Sequence, residues 1–143
     1  MRAVRRLAIV LVAVLALSAC GGSGQKTAGD EDQITSAYTT FFSGKTSIPD
    51  RVAVLEDGPR FKALVTSFAN NPLAKNASAT VETVTLQGAN NAKVVYTVKL
   101  GGSELPKQTG TAVRQNGTWK VGYAGLCKLV ALGGVTPAAC KKP

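Results

Sequence analysis

The chain has 143 residues, with 17 Lys and Arg against 8 Asp and Glu, no histidine, and a formal charge of +9. That length suits one compact domain around one core. The basic residues are scattered rather than clustered with aromatics, so no nucleic-acid partner is expected, and the lack of histidine removes the commonest general acid–base group.

Arg2, Arg5 and Arg6 precede an uninterrupted apolar run from Leu7 to Leu17, followed by Ser18, Ala19, Cys20 and then Gly21-Gly22-Ser23-Gly24. This order resembles a bacterial lipoprotein signal, in which the cysteine becomes the lipid-modified first residue of the mature chain. At about 1.5 Å per residue the stretch from Leu7 to Ala19 covers roughly 20 Å, short of a hydrocarbon core of about 30 Å. A plain secretory signal is the closer rival, and the small pair ahead of Cys20 favours lipidation. Residues 1–19 are therefore expected to be a signal peptide, and Cys20 the lipidation site. Residues 20–29, rich in Gly, Ser, Lys and Thr, are expected to form a flexible tether. One acyl chain holds a protein only marginally, at about 0.8 kcal/mol per buried methylene, so the several chains of a lipoprotein anchor matter. The expected place is the outer face of the plasma membrane, with the membrane as partner. Without Arg2, Arg5 and Arg6 the charge falls from +9 to +6, enough for modest attraction to an acidic envelope component.

The remaining residues, 30–143, are expected to form a single α+β domain. Asp30-Glu31-Asp32 suits a helix start. Ile34, Ala37, Tyr38, Phe41 and Phe42 then recur on one helical face, and Gly44 ends it. Pro49 suits a first helical position, with Val52 and Leu55 continuing an apolar stripe to Gly58. Pro59 opens another helix, in which Phe61, Leu64, Val65 and Phe68 share a face, and Asn70-Asn71-Pro72 breaks it. The period changes at Ala77. A strand is expected from Ala79 to Leu86, then a turn at Gly88–Asn91. Ala92, Val94, Tyr96, Val98 and Leu100 alternate with Lys93, Val95, Thr97 and Lys99, the pattern of a half-buried strand. Gln108–Gln115 is a third strand, and Asn116-Gly117 a type I′ hairpin turn, because both central positions need positive φ. Trp119, Val121 and Tyr123 are expected on one face of a fourth strand, and Leu126–Leu132 as one or two helical turns. Helices followed by strands predict N-terminal helices packed on the concave face of a curved four-stranded antiparallel sheet. Its core is expected from Phe41, Phe42, Phe61, Leu64, Phe68, Tyr96, Trp119 and Val121.

Of the three cysteines, Cys20 is assigned to lipid. Cys127 and Cys140 remain, and in an oxidising compartment they are expected as a structural disulfide worth about 3 kcal/mol of loop entropy. Metal ligation and redox chemistry are the alternatives; without histidine the pair makes a poor zinc set, and its spacing is far from C-x-x-C. No metal and no cofactor are expected.

Several strings together carry a resemblance: Phe41-Phe42-Ser43-Gly44-Lys45; the stretch from Asp50 to Gly58; Thr109-Gly110-Thr111-Ala112-Val113-Arg114; Gly117-Thr118-Trp119-Lys120-Val121; and Cys127-Lys128-Leu129. In this order they resemble the mycobacterial low-molecular-weight antigen family of exported actinobacterial proteins, over most of residues 30–140. The resemblance implies a cone-shaped α+β fold similar to nuclear transport factor 2 and no enzymatic activity. It brings no catalytic residues. The lipobox cysteine departs from the freely secreted members and points to anchoring.

Three readings of the domain follow. As an enzyme it is poorly equipped: Asp50 and Asp57 sit at helix ends, Glu56, Glu82 and Glu104 form no evident pair, and no G-x-S-x-G or Gly-rich phosphate loop occurs. As a carrier it would hold a small apolar ligand or lipid in the open end of the cone, lined by Tyr38, Phe42, Phe61, Phe68, Tyr96 and Trp119; the plainer account is that these side chains fill the space. As an interaction module it would use Arg51, Arg60 and Lys62 toward an acidic surface. Lys93, Lys99, Arg114 and Lys120 are expected on the outer sheet face, where solvated charge guards against aggregation. An antigen-like envelope lipoprotein without enzymatic activity is the reading the sequence favours.

Overall fold

The computed structural model describes residues 23–141, with side chains from Gly29 onward. The signal peptide and Cys20 lie outside the described residues. The first helix, α1, runs Ser23–Phe42. It starts ahead of the acidic triplet, so the segment read as a flexible tether is helical from Ser23. Once the face from Ile34 to Phe42 is packed, extending the helix toward its N-terminus adds a hydrogen bond per residue without a new nucleation cost. Asp30 accordingly lies within the helix, where it pairs with Arg114.

A short helix α2 (Ile48–Ala53) follows. Ser47 caps it, its Oγ accepting from the Asp50 N–H at 3.2 Å and donating to the Asp50 carboxylate at 2.6 Å. A 3₁₀ turn, Gly58–Phe61, leads into α3 (Lys62–Asn70), and a second one, Pro72–Asn76, ends the helical half. Asn71 caps that turn by accepting from the Leu73 N–H at 3.0 Å.

The sheet is an antiparallel meander of β1 (Ser78–Leu86), β2 (Asn91–Leu100), β4 (Gln108–Gln115) and β5 (Thr118–Val121), with β3 (Ser103–Glu104) a two-residue strand beside β2. The alternation on β2 holds: Ala92, Val94, Tyr96 and Val98 are buried, while Lys93 and Lys99 are exposed. A bulge between Val81 and Thr83 breaks the alternation of β1. The turn after β4 has φ of 53° at Asn116 and 77° at Gly117, the positive pair the hairpin needs. The far edge of β5 is not free. Val121 donates to the Val54 carbonyl at 2.8 Å, and its own carbonyl accepts from Glu56 N–H at 2.9 Å, so the chain after α2 adds a parallel bridge.

One boundary differs from expectation. Tyr123 does not continue β5; it begins α4 (Tyr123–Leu132) and stacks on Phe61 with ring centroids 5.1 Å apart. The break is made at Gly122, whose N–H donates to the Thr111 carbonyl at 2.7 Å. A Cβ there would lie 2.1 Å from Thr111 Oγ1, so only glycine lets the chain cross β4 this closely and leave the sheet. The Cys127–Cys140 disulfide is present, with Cα atoms 5.6 Å apart, and ties α4 to the 3₁₀ turn Ala138–Cys140.

The expected α+β architecture, helices on a curved antiparallel sheet, is what the chain adopts. α1 lies across the inner face and touches both β1 and β5. Ile34, Tyr38, Phe41, Leu55, Phe61, Val65, Val94, Tyr96, Val98, Trp119 and Val121 are all buried in one core. Leu64 and Phe68, expected inside it, are only half-buried against it.

Candidate apolar groove

At the core's centre Tyr38 from α1 and Tyr96 from β2 meet with ring centroids 4.8 Å apart. Tyr38 donates its hydroxyl to the Thr111 carbonyl at 2.7 Å. Burial, and then the neighbouring Tyr96, raise the Tyr38 pKa far above the ordinary phenol value, while burial alone pushes Tyr96 up to about 12. Both rings fit because Gly110 on β4 has no side chain: a Cβ there would lie 2.6 Å from Tyr38 Oη and 3.1 Å from Tyr96 Cε1. Phe42 continues the aromatic row, its centroid 5.5 Å from that of Tyr96.

Beyond this row the packing stops short, and a groove of about 300 Å³ opens. Phe41 and Phe42, at the end of α1, and Phe68 on α3 form its inner end. Leu73 and Ala74 of the 3₁₀ turn and Leu100 at the end of β2 make one wall. Leu126, Leu129, Val130 and Gly133 of α4 and its C-cap make the other, at the i, i+3, i+4, i+7 spacing of one helix face. Asn71 is the single polar side chain among these lining residues, and no titratable group faces the groove.

The six side chains expected to line a pocket are thus divided. Phe42 and Phe68 do line the groove. Tyr38, Phe61 and Tyr96 do not: they are buried in the core, where rings of that size fill the space between α1 and the sheet. Trp119 is also core; its edge lines a separate surface cleft beside Gln33, Ser36 and Val54. Sequence reasoning missed the α4 wall, although its spacing was visible in the run from Leu126.

The cation readings also need correction. Arg51 cannot dock an acidic surface, because it is 1% exposed. Its guanidinium donates to the carbonyls of Ser43 at 2.6 Å and Thr46 at 3.2 Å, and stands 5.3 Å from the Phe68 ring centroid. Burial lowers its pKa from the usual value. The residue thus holds the loop after α1 against α3, behind the groove. Arg60 is exposed but engaged, lying over Phe61 and Tyr123 and donating to the Lys141 carbonyl at 2.9 Å. Arg114 is not on the outer sheet face with Lys93, Lys99 and Lys120. It pairs across the hairpin with Trp119, as Ala112 does with Val121, and so shares their inward side. There it lies over the Trp119 ring at 4.9 Å and forms an ion pair with Asp30.

Among the described residues no cluster of His, Cys, Asp or Glu could hold a metal ion, and no helix is long and apolar enough to cross a membrane. No curated protein and no solved structure matches the chain. The family described as low molecular weight antigen MTB12, C-terminal domain, does match, over residues 27–137. That stretch takes in nearly all of α1, every strand, α4 and Cys127. The chain therefore belongs to the low molecular weight antigen MTB12 family.

Proposed function

We propose that this domain is a non-enzymatic carrier that holds one apolar chain in the groove between α1, α3 and α4, and that acylated Cys20 tethers it to the cell envelope. The observation that carries this reading is a groove of about 300 Å³ whose lining side chains are all hydrocarbon except that of Asn71. Ligand sites begin at about this size. A methylene is close in size to a water molecule, about 30 Å³ in the liquid, so the groove seats about ten carbons, a single chain and not two. A lining with no titratable group supports retention of a ligand over its conversion. Asn71 spends its Oδ1 on the Leu73 N–H, which leaves its amide NH₂ for the polar end of a ligand.

The test is saturable binding of a fluorescent fatty-acid probe to the delipidated chain from Gly21 onward, which lacks Cys20 and retains every element described. Leu129→Trp, which fills the groove from α4, should remove that binding while leaving the fold intact. Equal binding by both proteins would place the probe elsewhere and end the carrier reading. The tether has its own test: Cys20→Ala should release the chain from membranes or leave it unprocessed. A mature-sized variant that stays on membranes would mean another anchor.

A further inference from the structure

We propose that the rim of the groove is a docking face for an anionic lipid bilayer. This goes beyond carriage of a ligand and would hold for an empty groove. Three large apolar side chains are conspicuously exposed among the described residues: Leu73 at 58%, Leu132 at 73% and Val135 at 57%. Leu73 lines the groove from the 3₁₀ turn of one wall. Leu132 ends α4, next to Gly133 of the other wall and beside Gln108, Thr109 and Lys128, and Val135 follows two residues after Gly133. Side chains of this kind on a folded surface mark a face that something covers.

Charge names what covers it. All eight carboxylates fall at residues 30–32, 50, 56–57, 82 and 104. Residues 58–81 and 105–143, which supply most of both walls, contain none, and they present Lys75, Lys128 and Lys141 as exposed cations. The nearest carboxylate along the chain to a wall residue is Glu104, which lies opposite Lys99 across the β2–β3 pair. Exposed leucine and valine on segments that carry exposed lysines and no carboxylate side chain, with Lys128 beside Leu132, match the boundary between acyl chains and anionic headgroups. A protein surface would need shape complementarity as well; a bilayer needs only apolar side chains that penetrate and cations that stay at headgroup level. α1 rises about 30 Å over its length, so an N-terminal anchor and the rim meet the same bilayer when the helix lies along it.

The experiment is vesicle flotation with the chain from Gly21 onward, which lacks Cys20 and so carries no acyl anchor there. Vesicles of phosphatidylcholine alone are compared with vesicles holding roughly one-third phosphatidylglycerol. Binding is expected on the anionic vesicles and at least about tenfold weaker on the neutral ones. Leu132→Gln/Val135→Gln and, separately, Leu73→Gln should each weaken binding severalfold, and Lys75→Glu/Lys128→Glu at least about tenfold. Lys99→Glu/Lys120→Glu makes the same charge change on the outer sheet face and should leave binding within about twofold. None of these positions is buried, so folding is not at stake. Equal loss from the outer-face pair would reduce the effect to net charge and overturn the proposal, as would no binding to either vesicle. A dimer in sedimentation equilibrium that Leu132→Gln/Val135→Gln dissolves would also overturn it, assigning the rim to a second copy of the chain. Neither result bears on probe binding in the groove, which Leu129→Trp tests.

Discussion

Replacing Gly110 by alanine puts a methyl group 2.6 Å from Tyr38 Oη and 3.1 Å from Tyr96 Cε1. The first contact cannot stand, so Tyr38 must move away from the Thr111 carbonyl to which it donates at 2.7 Å. Overpacking of this kind costs about 1–3 kcal/mol, and a buried hydroxyl stripped of its acceptor adds about 1–3 kcal/mol. A loss of about 3 kcal/mol is expected, or about 12 °C in Tm for a domain of this size. The control is Tyr38→Phe, which removes the offending oxygen. Alone it should cost only about 1 kcal/mol, because the Thr111 carbonyl keeps the Gly122 N–H as donor. In that background the added methyl meets only ring carbons, at 3.1 Å for Tyr96 and 3.6 Å for Tyr38 Cζ. Gly110→Ala should then cost about 1 kcal/mol or less, giving a coupling of about 2 kcal/mol in a double-mutant cycle read by urea denaturation. Additive losses would refute the argument that the hydroxyl, and not the ring, makes glycine necessary here.

Two further outcomes test the packing. Cys127→Ser/Cys140→Ser opens a loop spanning a sequence separation of 13, and should lower stability by about 3 kcal/mol. A loss below about 1 kcal/mol would show that the tail is held by packing alone. Tyr96, with its pKa pushed up to about 12, makes stability fall on the alkaline side. The unfolded chain releases a phenolic proton near pH 10 that the native chain still holds, so stability is unaffected below about pH 10 and drops by about 1.4 kcal/mol per pH unit above it. Tyr38, raised further, contributes in the same direction. Urea midpoints between pH 9 and pH 11.5 should fall less steeply for Tyr96→Phe; identical slopes would mean that Tyr96 titrates normally in the fold.

How far the fold could be read in advance depends on where each signal lay. The helical face from Ile34 to Phe42, the alternation on β2 and the Asn116-Gly117 turn are local patterns, and each took the conformation that its period or its glycine required. Tyr123 misled because it prolongs the alternation of Trp119 and Val121, whereas the break comes from Gly122 crossing Thr111, a contact between segments distant in sequence. Arg51 read as a solvated charge because its acceptors, the Ser43 and Thr46 carbonyls, are offered only by the loop after α1. Arg114 was more legible: it shares strand parity with Gly110 and Ala112, both buried, and so points inward with them. The groove was the least visible feature. Six rings were expected to line it; Phe42 and Phe68 do, the other four fill the core, and both walls are aliphatic residues from segments separated in sequence.

The central claim is that the groove carries an apolar chain. Native mass spectrometry of the protein, purified from its native host without delipidation, tests it most directly. The carrier reading predicts a co-purifying single-chain lipid at up to one per protein, absent from Leu129→Trp prepared in the same way. Spectra showing only the covalent mass of the protein, any acyl anchor on Cys20 included, from repeated preparations, with no thermal shift on adding lipid extract, would contradict it.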